Sequence, residues 1–144
     1  VRGHGAILQQ RLLIEPPIVM GDRIQIQQVV LNLLVNALDA MAGVIDRPRS
    51  LLVSTRLSHP RNIELSVRDS GVGLKAGDDE KLFDAFYTTK PHGMGVGLAI
   101  SRSIIENHGG RLAAARNEDH GATFAFTIPL HEPEERKEIV AATI

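Results

Sequence analysis

The chain has 144 residues, 43% of them hydrophobic, and a formal net charge of -1. That describes one ordinary domain with enough apolar content for a core, which excludes a disordered chain. The balanced charge leaves no basic excess for a nucleic-acid partner, and the absence of cysteine excludes disulfides, thiolate chemistry and cysteine zinc sites.

Residues 1–15 read as an N-terminal strand or linker, with an apolar segment from Ala6 to Ile14 that Pro16-Pro17 ends. Asp22 offers an N-cap for a long helix reaching about Ala42. Its apolar positions Ile26, Val29, Val30, Leu33, Leu34, Ala37, Leu38 and Met41 recur at three- and four-residue steps. Gly43 and Pro48 close it. The stretch from Val29 to Ile45 is interrupted by Asn32, Asn36 and Asp39, so no membrane span is expected there. Two strands rich in Val, Ile, Ser and Thr follow, Leu51 to Leu57 and Asn62 to Arg68, joined by a hairpin loop at His59-Pro60-Arg61. From Asp69 to Gly97 the pattern predicts mostly loop, with a short helix near Glu80 to Phe86. A helix from about Val96 to Asn107 stops at Gly109-Gly110. Strands from Arg111 to Arg116 and Thr123 to Pro129 flank a turn around Asp119 to Gly121. The tail, residues 131–144, is charged.

This order (strand, helix, strand pair, loop, helix, strand pair) implies an α/β (α+β) two-layer sandwich, a mixed, mostly antiparallel sheet on about three helices. The chain opens Val1-Arg2-Gly3-His4 without an initiator Met or signal peptide. It is expected to be a piece of a longer polypeptide, cytoplasmic, with no membrane contact by this domain.

Four constellations carry chemistry. Asn32, Asn36 and Asp39 share one helix face, and an amide oxygen is a hard ligand suited to Mg²⁺ beside phosphates and water. A solvated helix face or a satisfied buried amide is the alternative. Asp69-Ser70-Gly71-Val72-Gly73 follows a strand directly. An ionised carboxylate only accepts hydrogen bonds, so it suits the 6-amino group of adenine and rejects the carbonyl of guanine. A plain turn is the alternative. Gly93-Met94-Gly95-Val96-Gly97-Leu98 opens a helix, where free N–H groups and the macrodipole attract phosphate; it is neither a Walker loop nor a Rossmann turn. Between these lie Phe83, Phe86, Tyr87, Thr88, Thr89 and Lys90, a lid-like mixture of apolar anchors and phosphate-reaching groups.

In order and spacing these segments resemble sensor histidine kinases. Asn32-Leu33-Leu34-Val35-Asn36-Ala37 resembles the N box and Asp69 to Gly73 the G1 box. Leu82-Phe83-Asp84-Ala85-Phe86 resembles the F box and Gly93 to Leu98 the G2 box. Asn107-His108-Gly109-Gly110 and Gly121-Ala122-Thr123-Phe124 are similar to the stretches that close the following helix and form the last strand pair. Tyr87 to Lys90 looks most like the soluble-sensor and nitrogen-regulation kinases.

The resemblance covers about residues 15 to 130. It implies the Bergerat fold, with an ATP-binding catalytic domain over residues 16–130 and ATP and Mg²⁺ as cofactors. The implied site takes Asn32, Asn36, Asp39 and Ala40 from the long helix and Asp69, Gly71, Gly73 and Leu74 from the G1 box. The lid adds Phe86, Thr88, Thr89 and Lys90, the G2 box Gly93, Met94, Gly95, Val96, Gly97 and Leu98, and the last strand Thr123. Asn36 holds the metal, Asp69 reads adenine, and Asn36 and Lys90 are the catalytic pair. The lid from about Asp84 to His92 is expected to be mobile without nucleotide.

By the same resemblance, hydrolytic relatives carry a Glu one turn before the metal Asn. Here that position is Asn32, and an amide is no general base near neutral pH. None of the six His fits an H box, since Pro133 breaks the run after His131-Glu132. The expected partners are therefore a dimerisation domain bearing the acceptor histidine, outside this sequence, and a response regulator. A non-catalytic ATP-sensing module and a slow ATPase are the alternatives.

Overall fold

The computed structural model describes residues 6–15, 17–59, 61–73, 83 and 97–131. Five strands and two helices appear among them, β1 (Ile7–Arg11), α1 (Arg23–Met41), β2 (Ser50–Ser58), β3 (Asn62–Asp69), α2 (Gly97–Asn107), β4 (Arg111–Arg116) and β5 (Ala122–Pro129). The expected short helix near residues 80–86 lies outside the described residues except for Phe83.

The strands form one sheet in the order β1-β2-β3-β5-β4. Strand β1 runs parallel to β2, and the other pairs are antiparallel. The parallel pair is possible because α1 lies between β1 and β2 in sequence and carries the chain back across the sheet. The sheet is therefore mixed, and β1 draws the N-terminal segment into it.

Both helices cover one face. Val29, Leu33, Ala37 and Met41 recur every fourth residue on α1 and are fully buried. On β5 the period changes to two, and Ala122, Phe124, Phe126 and Ile128 point into the same core. The intervening Thr123, Ala125 and Thr127 face the other side. Ile105 of α2 and Val67 of β3 complete the centre. Each fully buried Leu or Ile of this kind contributes about 1.5–3 kcal/mol.

The ends of the helices follow from local chemistry. The Asp22 carboxylate accepts from the N–H groups of Ile24 at 2.9 Å and Gln25 at 3.2 Å, so the predicted N-cap is present. Helix α2 closes on Gly109-Gly110. The Gly110 N–H bonds Ile105 O, the Gly109 N–H bonds Glu106 O, and Gly109 takes a φ of 78°. This double pairing is a Schellman motif. Helix α1 ends differently. Ala42 stays in the right-handed region, and Arg49 reaches back to donate to the carbonyls of Val44 at 2.9 Å and Ala42 at 3.2 Å. The expected closure by Gly43 is thus replaced by an arginine.

His108 joins the two helices. Its Nε2 accepts the Asp22 N–H at 3.0 Å, and its Nδ1 lies 2.7 Å from Ile104 O. With Nε2 accepting, Nδ1 is the ring nitrogen that donates, to Ile104 O.

Replacing Asp22 by Ala removes both capping bonds and is expected to cost about 1 kcal/mol, lowering Tm by about 2–8 °C in thermal unfolding.

Candidate functional site

The site is organised by the last residue of β3. Asp69 is 2% exposed. Its Oδ1 accepts the Gly71 N–H at 2.8 Å and the Ala122 N–H at 3.2 Å. No further hydrogen bond to the carboxylate is made among the described residues, and none of their buried side-chain oxygens is enclosed without a partner. Burial pushes the Asp69 carboxyl above its ordinary range, and the two backbone donors offset part of that rise.

Two glycines make this arrangement possible. A Cβ on Gly121 would sit 2.1 Å from the Asp69 carbonyl oxygen and 2.6 Å from Oδ1, and Gly121 also holds a φ of 82°. A Cβ on Gly71 would sit 2.4 Å from Ala40 O. The adjacent Val72 N–H donates to that same carbonyl at 3.1 Å. The glycine turn after β3 is thereby seated on the last turn of α1, at Ala40.

The other end of the site touches α1 one turn to the other side of Asn36. The Asn32 amide donates to Ser101 Oγ at 3.1 Å and approaches Gly97 O at 3.5 Å, while its own oxygen accepts from Gln28 at 3.2 Å. Ser101 is completely buried. Asn32 is therefore committed to helix packing. Asn36 stands midway between Asn32 and Ala40, about 6 Å along the axis from each at 1.5 Å per residue. It is half-buried, and no hydrogen bond ties its amide to another described residue. Asp39 is exposed on the same side of α1.

A partly shielded amide oxygen with no protein partner fits a hard cation that also takes phosphate oxygens and water. Among the described residues no cluster of three or more His, Cys, Asp or Glu side chains forms a cage of protein ligands. Mg²⁺ prefers few protein ligands, so a lone Asn36 suits it.

Helix α2 opens at Gly97, which is exposed, and a Cβ there would meet nothing within 4 Å. The N–H groups of its first turn have no intrahelical acceptors and point out of the helix start. Leu98 is half-buried against the core. Phe83 meets Phe124 edge-on at 6.4 Å, with the Arg102 guanidinium 5.6 Å from its ring centre. Leu74, Phe86, Thr88, Thr89, Lys90, Gly93, Met94, Gly95 and Val96 lie outside the described residues, as does the expected mobile lid.

Thr123, expected beside the nucleotide, is placed elsewhere. It pairs across the sheet with exposed Arg68, whereas Asp69 shares the face of buried Val67 and Ala122. The alternation of side chains along a strand puts Thr123 on the opposite face from the Asp69 carboxylate. Its hydroxyl donates to Asn117 Oδ1 at 2.6 Å, and the Asn117 amide donates to Asp69 O at 2.9 Å and His120 O at 2.8 Å. Thr123 thus supports Asp69 through Asn117. Asn117, Ser101 and Arg47 were not singled out by motif reasoning, and Ala122 entered only as part of the Gly121-Ala122-Thr123-Phe124 stretch. A polar cavity of about 510 Å³ lies beside the glycine turn, lined by Arg47, residues 71–73 and residues 116–121. It adjoins the carboxylate site without including Asp69 or Asn36.

Residues 21–132 match the family described as histidine kinase-, DNA gyrase B-, and HSP90-like ATPases. The chain belongs to this family. The sensor protein FixL of Bradyrhizobium diazoefficiens is 48% identical over 124 residues, which is 85% of this chain and 24% of FixL. The sensor protein TdiS of Thauera aromatica is 37% identical over 131 residues, 90% of this chain and 24% of TdiS. The chain thus spans about a quarter of the length of these relatives. The solved catalytic domain of histidine kinase ThkA superimposes with a TM-score of 0.76 at 32% identity, covering 89% of this chain and 81% of that one. ThkA solved in complex with the response regulator TrrA gives 0.74 at 29% identity, covering 90% and 36%. The Bergerat architecture and the ATP-binding catalytic domain of the sensor histidine kinase type are therefore present. Among the described residues no helix is long and apolar enough to cross a membrane.

Because the folded chain holds the Asp69 proton to higher pH than the unfolded chain, this group's contribution to stability is fully present in acid. It is lost as pH rises from about 4, the unfolded value, through the raised folded one. Denaturant unfolding of the nucleotide-free chain should show this decline, and Asp69→Asn should remove it and be no less stable than the parent at neutral pH.

Proposed function

We propose that this domain binds Mg²⁺-ATP and transfers the γ-phosphoryl group to a histidine on a dimerisation domain outside the present sequence, from which a response regulator receives it. Residues 16–130 form the catalytic unit in this reading, residues 1–15 connect it to the dimerisation domain, and residues 131–144 are a charged tail. The observation that carries the reading is the Asp69 carboxylate. One oxygen is fixed by two backbone N–H groups, and in this reading the other accepts from the base. Such a group discriminates a 6-amino purine from a 6-oxo purine, because a carbonyl there would leave two acceptors facing one another.

Asn36 would hold the metal between the base-reading turn and the start of α2. Mg²⁺, when bound, neutralises phosphate charge. The N–H groups at the α2 N-terminus take the phosphate oxygens, and Gly97 offers no side chain to obstruct them. Lys90, Thr88, Thr89 and the segment from Gly93 to Val96 supply the remaining phosphate contacts in this reading, with Leu74 and Phe86 closing over the base.

In the transfer, an imidazole nitrogen lone pair attacks the γ-phosphorus. The bond to the β,γ-bridging oxygen breaks, ADP departs, and the proton carried by the attacking nitrogen's ring passes to solvent. A neutral imidazole already has its lone pair, so this domain supplies no general base. The hydrogen bonds of Asn32 support that division of labour. The amide at the position where hydrolytic relatives carry Glu is engaged by Ser101 and Gln28. Catalysis rests on positioning and charge neutralisation.

Calorimetry should show magnesium-dependent ATP binding that Asp69→Asn or Asn36→Ala weakens by at least about tenfold, the equivalent of about 1.4 kcal/mol. Given labelled ATP alone, the chain should carry no phosphohistidine. Adding the dimerisation domain of the parent protein should yield acid-labile label on its histidine. Absence of that label, or steady phosphate release by the isolated chain, would contradict the kinase reading.

A further inference from the structure

The segment between α1 and β2 reaches the site from behind. Arg47 Nε donates to Ser70 O at 3.0 Å and its Nη2 donates to Gly71 O at 2.7 Å. These are the two carbonyls that follow Asp69 directly. The Arg47 side chain is 20% exposed, and its Nη1 is paired with the Asp46 carboxylate at 2.9 Å. The fork of one guanidinium thus spans two successive peptide oxygens, which a planar, rigid donor set does and a single ammonium does not.

The surrounding bonds make the segment a brace. Ser70 Oγ donates to Pro48 O at 2.9 Å and accepts the Ser50 N–H at 2.8 Å. Two residues on, Arg49 grips the carbonyls of Ala42 and Val44 at the end of α1. The same short stretch therefore holds both the turn that orients Asp69 and the end of the helix that carries Asn36. Without it, the turn keeps its Ala40 contact through Val72 but loses every donor to Ser70 O and Gly71 O named above. The Gly71 peptide is also the one whose N–H fixes Asp69 Oδ1, so movement of that peptide rotates the carboxylate.

We propose that Arg47 is a positioning residue for base recognition, which by clamping the Ser70 and Gly71 carbonyls fixes the Asp69 carboxylate at the angle that selects a 6-amino purine. This rests on the reading of Asp69 as the base-selecting group. Its content is separate. Arg47 acts on selectivity between bases, and not only on the folding of the domain or on overall affinity for nucleotide.

The test compares Mg²⁺-ATP with Mg²⁺-inosine triphosphate, which differs at position 6 of the purine, on the 144-residue chain. Arg47→Ala should reduce the preference for ATP by about tenfold, with ATP affinity falling and inosine triphosphate affinity nearly unchanged. Arg47→Lys, which keeps the charge but cannot span both carbonyls, should fall between Arg47→Ala and the parent. An equal loss for both nucleotides in Arg47→Ala would overturn the proposal and make Arg47 a structural residue alone. A preference in Arg47→Lys equal to the parent's would overturn it too, and that variant carries the test by itself if circular dichroism shows Arg47→Ala unfolded. Asp69→Asn in the same assay isolates the premise. If that variant leaves the preference intact, base selection lies elsewhere and the inference falls with it.

Discussion

A buried carboxylate held by backbone donors is the constraint around which this domain is built. Taking an ionised group out of water costs several kcal/mol unless donors replace the lost hydration. Gly71 and Ala122 supply two of them to one oxygen of Asp69. In the proposed reading the remaining oxygen takes its donor from an amino-purine. Much of the local sequence follows from this need. Gly121 leaves room for the carboxylate, Gly71 lets the turn lie against α1, and Asn117 holds the Asp69 carbonyl from the opposite side.

Helix α1 converts that single site into an extended one. A helix has a fixed rise, so its contacts set distances between groups. Ala40 meets the glycine turn, Asn32 meets the start of α2, and Asn36 falls between them. In the proposed reading, base, metal and phosphate positions are thereby spaced along one rigid rod. The rod is held at both ends, by Asp22 and His108 at its start and by Arg49 at its finish. The buried row Val29, Leu33, Ala37 and Met41 locks its rotation, so the polar face cannot turn away from the site. Polar residues on such a helix are affordable because the opposite face supplies the burial.

Much of this was legible in the sequence where the signal is local or periodic. The three- and four-residue recurrence on α1, the Asp22 cap and the Gly109-Gly110 stop all describe neighbours in the chain, and their elements match the expected bounds within a residue or so. Asp69 ends β3 and the glycine turn follows it, as the local pattern of a carboxylate before two glycines suggests. The parallel pairing of β1 with β2 was not legible, since no local feature of Ile7–Arg11 names its partner. The side chains that act across long separations were also missed. Arg47 and Arg49 bind backbone carbonyls, and an arginine in a loop looks the same whether it is solvated or clamped. Thr123 shows the converse error, because a motif places a residue in sequence while the two-residue period of the strand decides which face it serves. The hydrogen bond from Asn32 to Ser101 of α2 was not legible either, because the two residues lie far apart in the chain.

A crystal structure of the chain with Mg²⁺ and a non-hydrolysable ATP analogue tests the central claim most directly. The account predicts the adenine 6-amino group within hydrogen-bonding distance of Asp69 Oδ2, at about 3 Å, with the Asn36 amide oxygen on the metal and the phosphates at the start of α2. A base bound away from Asp69, with that carboxylate still facing water or protein alone, would contradict it.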